Sequence, residues 1–523
     1  MKANIHSLVF AFFLACLLFA APLGLRADES EATPPASETV AAAATPAEAS
    51  DSAPAAPVEK TVPVITIGGT AGYDDRSEKG FVGSAFISLG LDTRPFDLIA
   101  RLSLESDGKY APAEANIPGK EFFGLYFWMD EGGIRVPFGP LTLEAGRFRH
   151  YDEIDSPYSL FINGLGHSAL LMNLRYEDDF FIYQTRWIEL NNHSAAETPA
   201  WPDGYIDRGA NVKTYGFKVA PGMRFGFQDA AVYTGRSFDY EYFLNPIPQY
   251  FLQYAKTNSG RPWTTGGNEG NSIGAFFDWE LPSGATLNAQ VLMDDFNVHF
   301  LFPDTPWNPW KLAWTFGGSL KTEAGKFALY CAGATKYTFE PISMKDASNW
   351  TGKAYGYTYY PDTVFDYDST ELREIGIEDN AIGYLYGENN FAIRLEWSDR
   401  ISGYDLGAGL EFRLMGENSP ANPWHELYGQ PDDGTHWLDD AVLEKRFLAV
   451  LQASRQVGDW RFFSSLSIGV ALDALKLGAV TLSSPANGTS DGDLLIQMYT
   501  PVEGNTQPIL RLRLGASYSI RTR

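Results

Sequence analysis

The sequence predicts an all-β fold: a transmembrane antiparallel outer-membrane β-barrel of about 18 strands, preceded by a disordered N-terminal segment. Apolar and polar residues alternate over segments of ~10 residues or more, longer than the ~5–6 residues usual in soluble sheets. Ten tilted strand residues are what a bilayer core requires. Short turns alternate with long connections, as in outer-membrane barrels. After the N-terminus, no stretch approaches the ~20 apolar residues of a membrane helix.

Composition excludes one class of partner. The chain has 523 residues and a formal net charge of −25. Binding to nucleic-acid phosphates needs a basic surface, so we expect no nucleic-acid partner. Of the two cysteines, Cys16 lies in the N-terminal apolar run and Cys331 on an apolar strand face. We therefore expect no internal disulfide in the mature chain.

The first 27 residues have the pattern of an export signal. Lys2 supplies the positive end, an apolar run covers residues 8–21, and Leu-Arg-Ala at 25–27 fits a cleavage site. A permanent membrane anchor is the alternative, but the run is short for a span and Pro22 follows it. We interpret 1–27 as a signal peptide. It implies export to the outer membrane of a Gram-negative-type (diderm) bacterium.

The next segment differs in composition from everything after it. Residues 28–61 are mostly Ala, Pro, Glu, Ser and Thr, without an aromatic residue. Such a segment cannot bury enough apolar surface to fold alone, so it predicts a disordered linker. Residues 62–523 form the predicted barrel with long surface loops.

Strand pairs recur through the predicted barrel. In residues 274–296, Phe277 and Leu287 fall on an apolar face, Asp278 and Asn288 on a polar face, and Pro-Ser-Gly forms the turn. A soluble sandwich or propeller would also alternate, but its polar face would favour Lys and Glu. Here that face carries Gly, Ser, Ala and Thr with interspersed Arg and Glu, which suits a hydrated lumen. We therefore expect the apolar face to contact lipid, where only a closed sheet leaves no unpaired edge.

Connections and tryptophans fit the same fold. Strand-end tryptophans predict an aromatic girdle at the membrane interface: Trp128, Trp187, Trp279, Trp314, Trp397 and Trp460. The predicted long connections are roughly 192–210, 237–271, 297–310, 339–380, 415–440 and 473–490.

Charged residues on the polar strand faces should point into the lumen. They are Arg394, Glu396, Glu411, Arg413, Arg511 and Arg513. They could line a selective path for solutes. They could equally form ion pairs between neighbouring strands and brace the barrel. Because both signs occur close together, we favour bracing.

One part of the chain resembles a known family. Residues 213–236 (KTYGFKVAPGMRFGFQDAAVYTGR) precede a Leu-Asn-Pro element at 244–246, and the run from GGNEGN to MDDF follows at 266–296. Upstream, GPLTLEAGRF (139–148) precedes FINGLGHSALLMNLRY (161–176). In this order the elements resemble the capsule assembly Wzi family of outer-membrane proteins. The resemblance covers about 140–296 and implies an 18-stranded barrel that helps to hold capsular polysaccharide on the cell surface.

Two loops carry the residue types that bind sugars, namely flat aromatic rings beside carboxylates and amides. These loops are 302–310 and 349–370. The candidate polysaccharide-binding residues are Trp307, Trp310, Trp350, Tyr355, Tyr357, Tyr359, Asp366 and Asp368. The alternative is that these aromatic residues pack the loops together over the end of the barrel.

Nothing in the sequence predicts catalysis, a cofactor or a metal. Asp366-Tyr367-Asp368 lacks the glycine and terminal glutamate of a calcium loop, so a solvated acidic loop is the better interpretation. Asp294-Asp295 could be an acid pair, but a structural role at a hairpin end is favoured. The His167-Ser168 pair lacks a placed third group.

Two functions remain open. The first is a Wzi-like barrel that binds or anchors capsular or other cell-surface polysaccharide without catalysis. The second is a porin-like channel for small polar solutes. Large lumen side chains and inward loops would favour the anchor, and a continuous path lined by Gly, Ser and Thr would favour the channel. The oligomeric state stays open.

Overall fold

The computed structural model describes most of the predicted barrel. The described residues are 63–77, 80–92, 95–107, 125–164, 168–194, 201, 203–257, 262–263, 269–295, 309–341, 356–366, 372–421, 435–482 and 494–521. The predicted signal peptide and linker, residues 1–61, lie outside these ranges.

Long strands dominate the fold. The barrel strands are β1 (Val64–Asp74), β2 (Phe81–Asp92), β3 (Asp97–Glu105), β4 (Tyr126–Phe138), β5 (Leu141–Phe148), β6 (Ala169–Glu177), β7 (Phe181–Asn191), β8 (Arg208–Ala220), β9 (Met223–Thr234), β10 (Glu269–Glu280), β11 (Thr286–Asp295), β12 (Lys311–Thr322), β13 (Gly325–Ala334), β16 (Asn390–Ile401), β17 (Tyr404–Met415), β18 (Glu444–Val457), β19 (Trp460–Leu472) and β22 (Gln507–Arg521).

Shorter elements lie in the connections. They are the strands β14 (Val364–Asp366), β15 (Leu372–Glu374), β20 (Leu475–Leu482) and β21 (Leu494–Pro501), and the helices α1 (Tyr240–Leu244), α2 (Gln249–Thr257) and α3 (Ile377–Asn380). Across the described ranges, no helix has the length and apolar character needed to cross a membrane.

The long strands form one closed antiparallel sheet of 18 strands, which confirms the predicted fold class. Each strand pairs with its neighbours in chain order. The ring closes where Val64 of β1 pairs with Arg521 of β22. The pairs β14–β15 and β20–β21 are separate small sheets, so β13 pairs directly with β16 and β19 with β22.

The two ends of the barrel differ. At one end, here the turn end, two-residue turns at 139–140, 221–222 and 402–403 join neighbouring strands. The paired ends of β1 and β22 also lie there. All the long connections leave from the opposite end, here the loop end. Outer-membrane barrels place short turns in the periplasm and long loops outside.

The outer wall is apolar around the ring. In the hairpin of β10 and β11, Leu287 is exposed on the outside, whereas Phe276 and Gln290 are buried on the inside. Exposed apolar residues recur at outward positions: Ile87, Leu102, Leu329, Leu410, Leu451, Ile468 and Leu514. A soluble protein would bury such a belt, so this wall is built for lipid.

The predicted tryptophan girdle has a mixed outcome. Trp397 donates its ring N–H to Ala324 O (2.7 Å) at the turn end, and Trp460 is exposed at the same end. Trp187 is buried. The side chain of Trp128 lies outside the described part of the structure.

Candidate functional site

The lumen is the candidate site, and its first component is an inward loop. We call residues 149–164 loop A. Asp152 accepts hydrogen bonds from the backbone N–H groups of Phe161 (3.0 Å) and Ile162 (3.1 Å). It also accepts from Gln228 on β9 (2.7 Å) and Gln290 on β11 (2.9 Å). One carboxylate therefore folds loop A and fixes it to the barrel wall.

A second carboxylate of loop A is fixed by arginines. Glu153 is paired with Arg175 of β6 and Arg224 of β9. Arg224 also donates to the carbonyl oxygen of Glu153 (2.7 Å). Burial raises the pKa of the Glu153 carboxyl, but the two guanidinium groups outweigh it and hold the pKa below its usual range. Loop A is thus fixed by ion pairs as well as by neutral hydrogen bonds.

Loop A crosses the full width of the barrel. It leaves between β5 and β6, and Tyr158 donates its hydroxyl to Glu411 of β17 (2.9 Å). In the order around the 18-strand ring, β17 stands nine positions from β6, which is the opposite wall. Tyr158, Leu160, Phe161 and Ile162 are all essentially fully buried.

A second inward loop packs on the first. We call residues 335–389 loop B, of which 335–341, 356–366 and 372–389 are described. Tyr357 donates its hydroxyl to Phe161 O (2.7 Å), and Asn163 donates its backbone N–H to Ile382 O (2.8 Å). The ring of Tyr158 lies 6.2 Å from that of Tyr384. The two loops form one plug inside the barrel.

A buried arginine holds loop B to the wall. Arg208, the first residue of β8, is fully buried. Its guanidinium group donates to the carbonyl oxygens of Gly356 (2.9 Å), Thr358 (2.9 Å) and Tyr359 (3.2 Å), and to Asn191 Oδ1 (3.2 Å). A planar fork of donors can satisfy several carbonyl groups together, which an ammonium group does less well.

The plug packs against part of the barrel wall. Its buried residues form one apolar cluster with inward residues of the wall, including Val212 of β8, Tyr330 of β13 and Ala392 of β16. A cavity between loop B, Pro420 and Tyr499 has a volume of about 20 Å³, which is about one water molecule. An 18-stranded barrel is wide enough for an aqueous channel. Here loops A and B fill the interior of the barrel next to part of its wall.

Two acids meet where loop B joins the barrel. Glu388 is buried, and its charge acts on the carboxyl group of Glu340. Glu388 also accepts from the backbone N–H of Ser419 (2.7 Å) and of Tyr337. Burial raises the pKa of Glu388 to about 7. Burial and the charge of Glu388 raise the pKa of Glu340 well above its usual range.

The predicted lumen charges form ion pairs. Arg394 pairs with Glu396 (2.6 Å) and, across strands, with Glu411 (3.8 Å). Arg413 is buried and pairs with Glu444 of β18 (3.0 Å). Ion pairs between neighbouring strands are what we expect if these charges brace the barrel.

Two other predicted lumen charges lie nearer solvent. Arg511 is partly buried and pairs with Asp75 (3.0 Å). Arg513 is exposed on β22. Whether any of the six charges selects solutes stays a prediction.

The predicted sugar-binding residues are dispersed. Tyr357 and Tyr359 lie in the plug, 5% and 3% exposed, where neither ring offers a free face for stacking on a sugar. Trp310 is partly exposed, just before β12. The backbone of Asp366 ends β14, and its side chain lies outside the described set. Trp307, Trp350, Tyr355 and Asp368 lie outside the described residues, and the binding role of the whole set stays a prediction.

Hydroxyl groups line a different part of the lumen wall. On β22, β1 and β2, Ser519 is bonded to Thr66 (3.1 Å) and Thr70 to Ser84 (2.7 Å). These side chains are partly exposed, and Arg513 lies on the same inward face of β22. This polar wall differs from the plugged wall between β5 and β17.

Asp294, considered above as one member of an acid pair, has a structural role. Asp294 accepts from Ser272 Oγ (3.1 Å) and from the backbone N–H of Phe339 (3.2 Å), which ties β11 to loop B. His167 and the side chain of Asp295 lie outside the described set. Within the described ranges, no group of three or more His, Cys, Asp or Glu side chains could hold a metal ion.

Sequence reasoning missed loop A. The segment FINGLGH was assigned with the strand that follows it, whereas Phe161–Asn163 lies in the plug and the strand begins at Ala169. The available signal was the acid-rich run YDEIDSPYSLF between two strands, where Asp and Pro disfavour β structure. The Glu340–Glu388 pair had no sequence signal, because its two members are 48 residues apart.

Comparison with known proteins gives only distant structural likeness. No protein-family model matches the chain, and no curated protein matches its sequence. Among solved structures, Wzi, a carbohydrate-binding outer-membrane barrel involved in group 1 capsule assembly in Escherichia coli, shares 10% identity at a TM-score of 0.48. That match covers 87% of this chain and 84% of Wzi.

Porin-type barrels are about equally distant. OprD of Pseudomonas aeruginosa matches at 8% identity and a TM-score of 0.43, over 89% of this chain and 96% of OprD. OccK1 of the same organism matches at 8% identity and a TM-score of 0.44, over 89% and 100%. These values do not separate the two functions. The strand pairing itself establishes the chain as an 18-stranded antiparallel barrel of the outer-membrane type.

Proposed function

We propose that this protein is a closed, non-catalytic outer-membrane barrel that binds or anchors capsular or other surface polysaccharide at its loop end. The observation that carries the proposal is the plug. Loop A spans the barrel from the β5–β6 connection to Glu411 on β17, and loop B packs upon it. A barrel built for solute passage would keep that width open.

The ligand class follows from the chemistry predicted for the loop end. Sugar rings stack on aromatic faces, and their hydroxyl groups bond to carboxylates and amides. Trp310, partly exposed beside β12, is a described member of the predicted set. The resemblance of residues 140–296 to the Wzi family supports the same ligand class. We propose the outer membrane of a diderm bacterium as the location, because the apolar outer wall suits lipid.

A porin-like channel is the second candidate. The hydroxyl-lined wall of β22, β1 and β2 favours it, because partly exposed Ser and Thr side chains suit a path for polar solutes. Such a path would run beside the plug. The two candidates therefore differ in whether ions can pass through the folded protein.

Single-channel conductance of the refolded protein in a planar bilayer tests the proposal. We expect no stable openings from full-length protein, nor from protein lacking residues 28–61. Retention of purified surface polysaccharide by vesicles that contain the protein is expected, and loss of that retention in Trp310→Ala. Stable openings of the full-length protein would overturn the closed anchor in favour of the channel. Openings only after truncation would make residues 28–61 part of the closure.

A further inference from the structure

One connection folds along the outside of the barrel. We call residues 235–257, which contain α1 and α2, the outer strap. Thr185 donates to Phe243 O (2.9 Å), and Trp187 donates to Ser237 O (2.6 Å). The residue between them on β7, Arg186, donates into the lumen to Tyr151 O (3.2 Å). Because side chains alternate along a strand, Thr185 and Trp187 point outward, and the strap covers the outer wall.

The strap supplies hydrogen-bond partners to a pair of charged side chains on that wall. Lys213 of β8 and Asp229 of β9 face each other across the two strands, and both are 0% exposed. Lys213 donates to Asn245 O and to Ile247 O (3.0 Å). Asp229 accepts from the backbone N–H of Gln249 (2.5 Å). Outward charges are unfavourable against lipid, and the strap supplies them with partners.

The strap lies alongside the membrane-crossing part of the strands. Lys213 stands five residues after Arg208, the loop end of β8. At ~3.3 Å per residue, this places the contact roughly 16 Å along the strand. Further down, Tyr215 donates to Pro246 O (2.9 Å). The strap therefore descends well below the rim of the barrel.

The outer side of the strap is apolar. Its barrel-facing side combines polar and apolar residues. Gln249 is fully buried, buried Lys256 pairs with buried Asp239 (2.6 Å), and Tyr242 and Leu252 belong to one buried cluster with Trp187 of β7. Its outer side carries exposed apolar and aromatic residues: Tyr240, Leu244, Ile247, Phe251 and Tyr254. A helix facing water carries polar residues on its exposed side, so this outer face departs from that pattern.

We propose that the outer strap is a membrane-embedded element whose exposed face contacts the acyl chains of the outer leaflet. The apolar face continues onto the lipid-facing wall below it. There Tyr215 lies 6.0 Å from Phe227, and Phe217 lies 5.8 Å from the exposed Phe225, ring to ring. The lipid acyl chains that surround this wall would therefore also contact the outer face of the strap. This inference goes beyond the proposed function and does not depend on it.

Site-directed spin labelling tests the proposal. The background is full-length protein with Cys16→Ser and Cys331→Ser, reconstituted in dioleoylphosphatidylcholine vesicles. Labels are placed at Phe251→Cys and Tyr254→Cys. Ile468→Cys, exposed on the outside of β19, is the lipid control, and Glu503→Cys, exposed in a loop-end turn, is the water control. Oxygen, which partitions into lipid, and a nickel chelate, which stays in water, report the surroundings of each label.

We expect the labels at 251 and 254 to resemble that at 468, with high oxygen and low nickel accessibility. Nickel accessibility equal to that at 503 would overturn the proposal. Spin–spin broadening between molecules would assign the face to a second copy of the chain and would also overturn it. Phe251→Trp gives an independent measurement, because brominated lipid should quench the fluorescence that this variant adds. A gel without heating verifies that each variant is folded.

Discussion

Glu340 and Glu388 lie close enough that two negative charges there would repel each other. A proton on one carboxyl group removes the repulsion. The pair joins the start of loop B, at Glu340, to its end, at Glu388, just before β16. Protonation of this pair should therefore strengthen the attachment of loop B to the barrel. The stability of loop B should decrease as the pair loses its protons.

The first prediction concerns that response. The pKa of Glu388 in the folded protein is about 7, above its ordinary value of 4.5. The stabilisation is then complete below about pH 4.5 and is lost as pH rises through about 7, a change on the order of 3 kcal/mol. Glu388→Gln should remove this contribution, because it takes away the titrating carboxyl group while its amide oxygen can still accept from the backbone N–H groups of Ser419 and Tyr337.

Thermal unfolding between pH 5 and 8 measures the effect. The matched control is Glu503→Gln, which changes an exposed acid and should follow the parent protein. The same change of unfolding temperature with pH in the parent and in Glu388→Gln would contradict the assignment of this titration to Glu388.

The second prediction concerns Arg208. Arg208→Met removes the donors to three loop B carbonyl groups and should weaken docking of loop B by about 2–4 kcal/mol. Cleavage of loop B by added protease should become at least tenfold faster, since ~1.4 kcal/mol is a factor of ten. The control is Arg455→Met at the turn end, where Arg455 bonds to Tyr404 (2.7 Å). Equal cleavage rates in both variants would refute the role of Arg208.

At the scale of elements, the plug depends on close backbone contact between its two loops. At Gly383 of loop B, an added Cβ would lie 1.9 Å from Leu160 O of loop A. The loops can meet there because glycine has no side chain. Loop A is bound to the wall by side-chain hydrogen bonds, whereas its contact with loop B is also backbone to backbone. A small change at Gly383 should therefore separate two elements that are each well anchored elsewhere.

The third prediction follows from that contact. Gly383→Val should displace the loops from each other and produce ion conductance, whereas we expect none from the parent protein. Gly478→Val is the control, because a Cβ there meets nothing within 4 Å. A silent Gly383→Val protein that folds normally would show that the plug does not depend on this contact.

At the scale of the molecule, the barrel and the plug have separate sources of stability. The strands are hydrogen-bonded into a continuous ring, from β1 through β22 and back. The plug is held by side-chain bonds such as those of Asp152, Glu153 and Arg208. Closure of the sheet does not require closure of the lumen.

The fourth prediction tests this separation. Replacing residues 153–163 by a short Gly-Ser linker should leave a folded barrel, seen as heat-dependent migration on a gel, and should open a conducting path. Replacing Glu323 and Ala324, the turn between β12 and β13 at the turn end, by Gly and Ser should leave the protein silent. Loss of the folded band in the first variant alone would show that the barrel needs loop A to fold.

Much of the fold was predictable because it rests on local pattern. Alternation at Phe277 and Leu287, short turns and long connections gave the closed sheet and its lipid-facing side, and all of these are properties of neighbouring residues. The candidate site was less predictable. The pairing of Arg394 with Glu411 follows from strand register, but burial of Tyr357 and Tyr359 depends on loop A, which reaches them from across the barrel.

The barrel follows from local sequence pattern, because a period of two and a length of about ten residues suffice to define a membrane strand. The segments that occupy the lumen and cover the outer wall depend instead on contacts between distant parts of the chain. Tyr158 and Glu411 are 253 residues apart, and contacts at such separation leave no local pattern. The outer strap is the same case: Lys213 and Asp229 break the apolar pattern of the outer wall, and only the folded chain brings Gln249 and Asn245 to satisfy them.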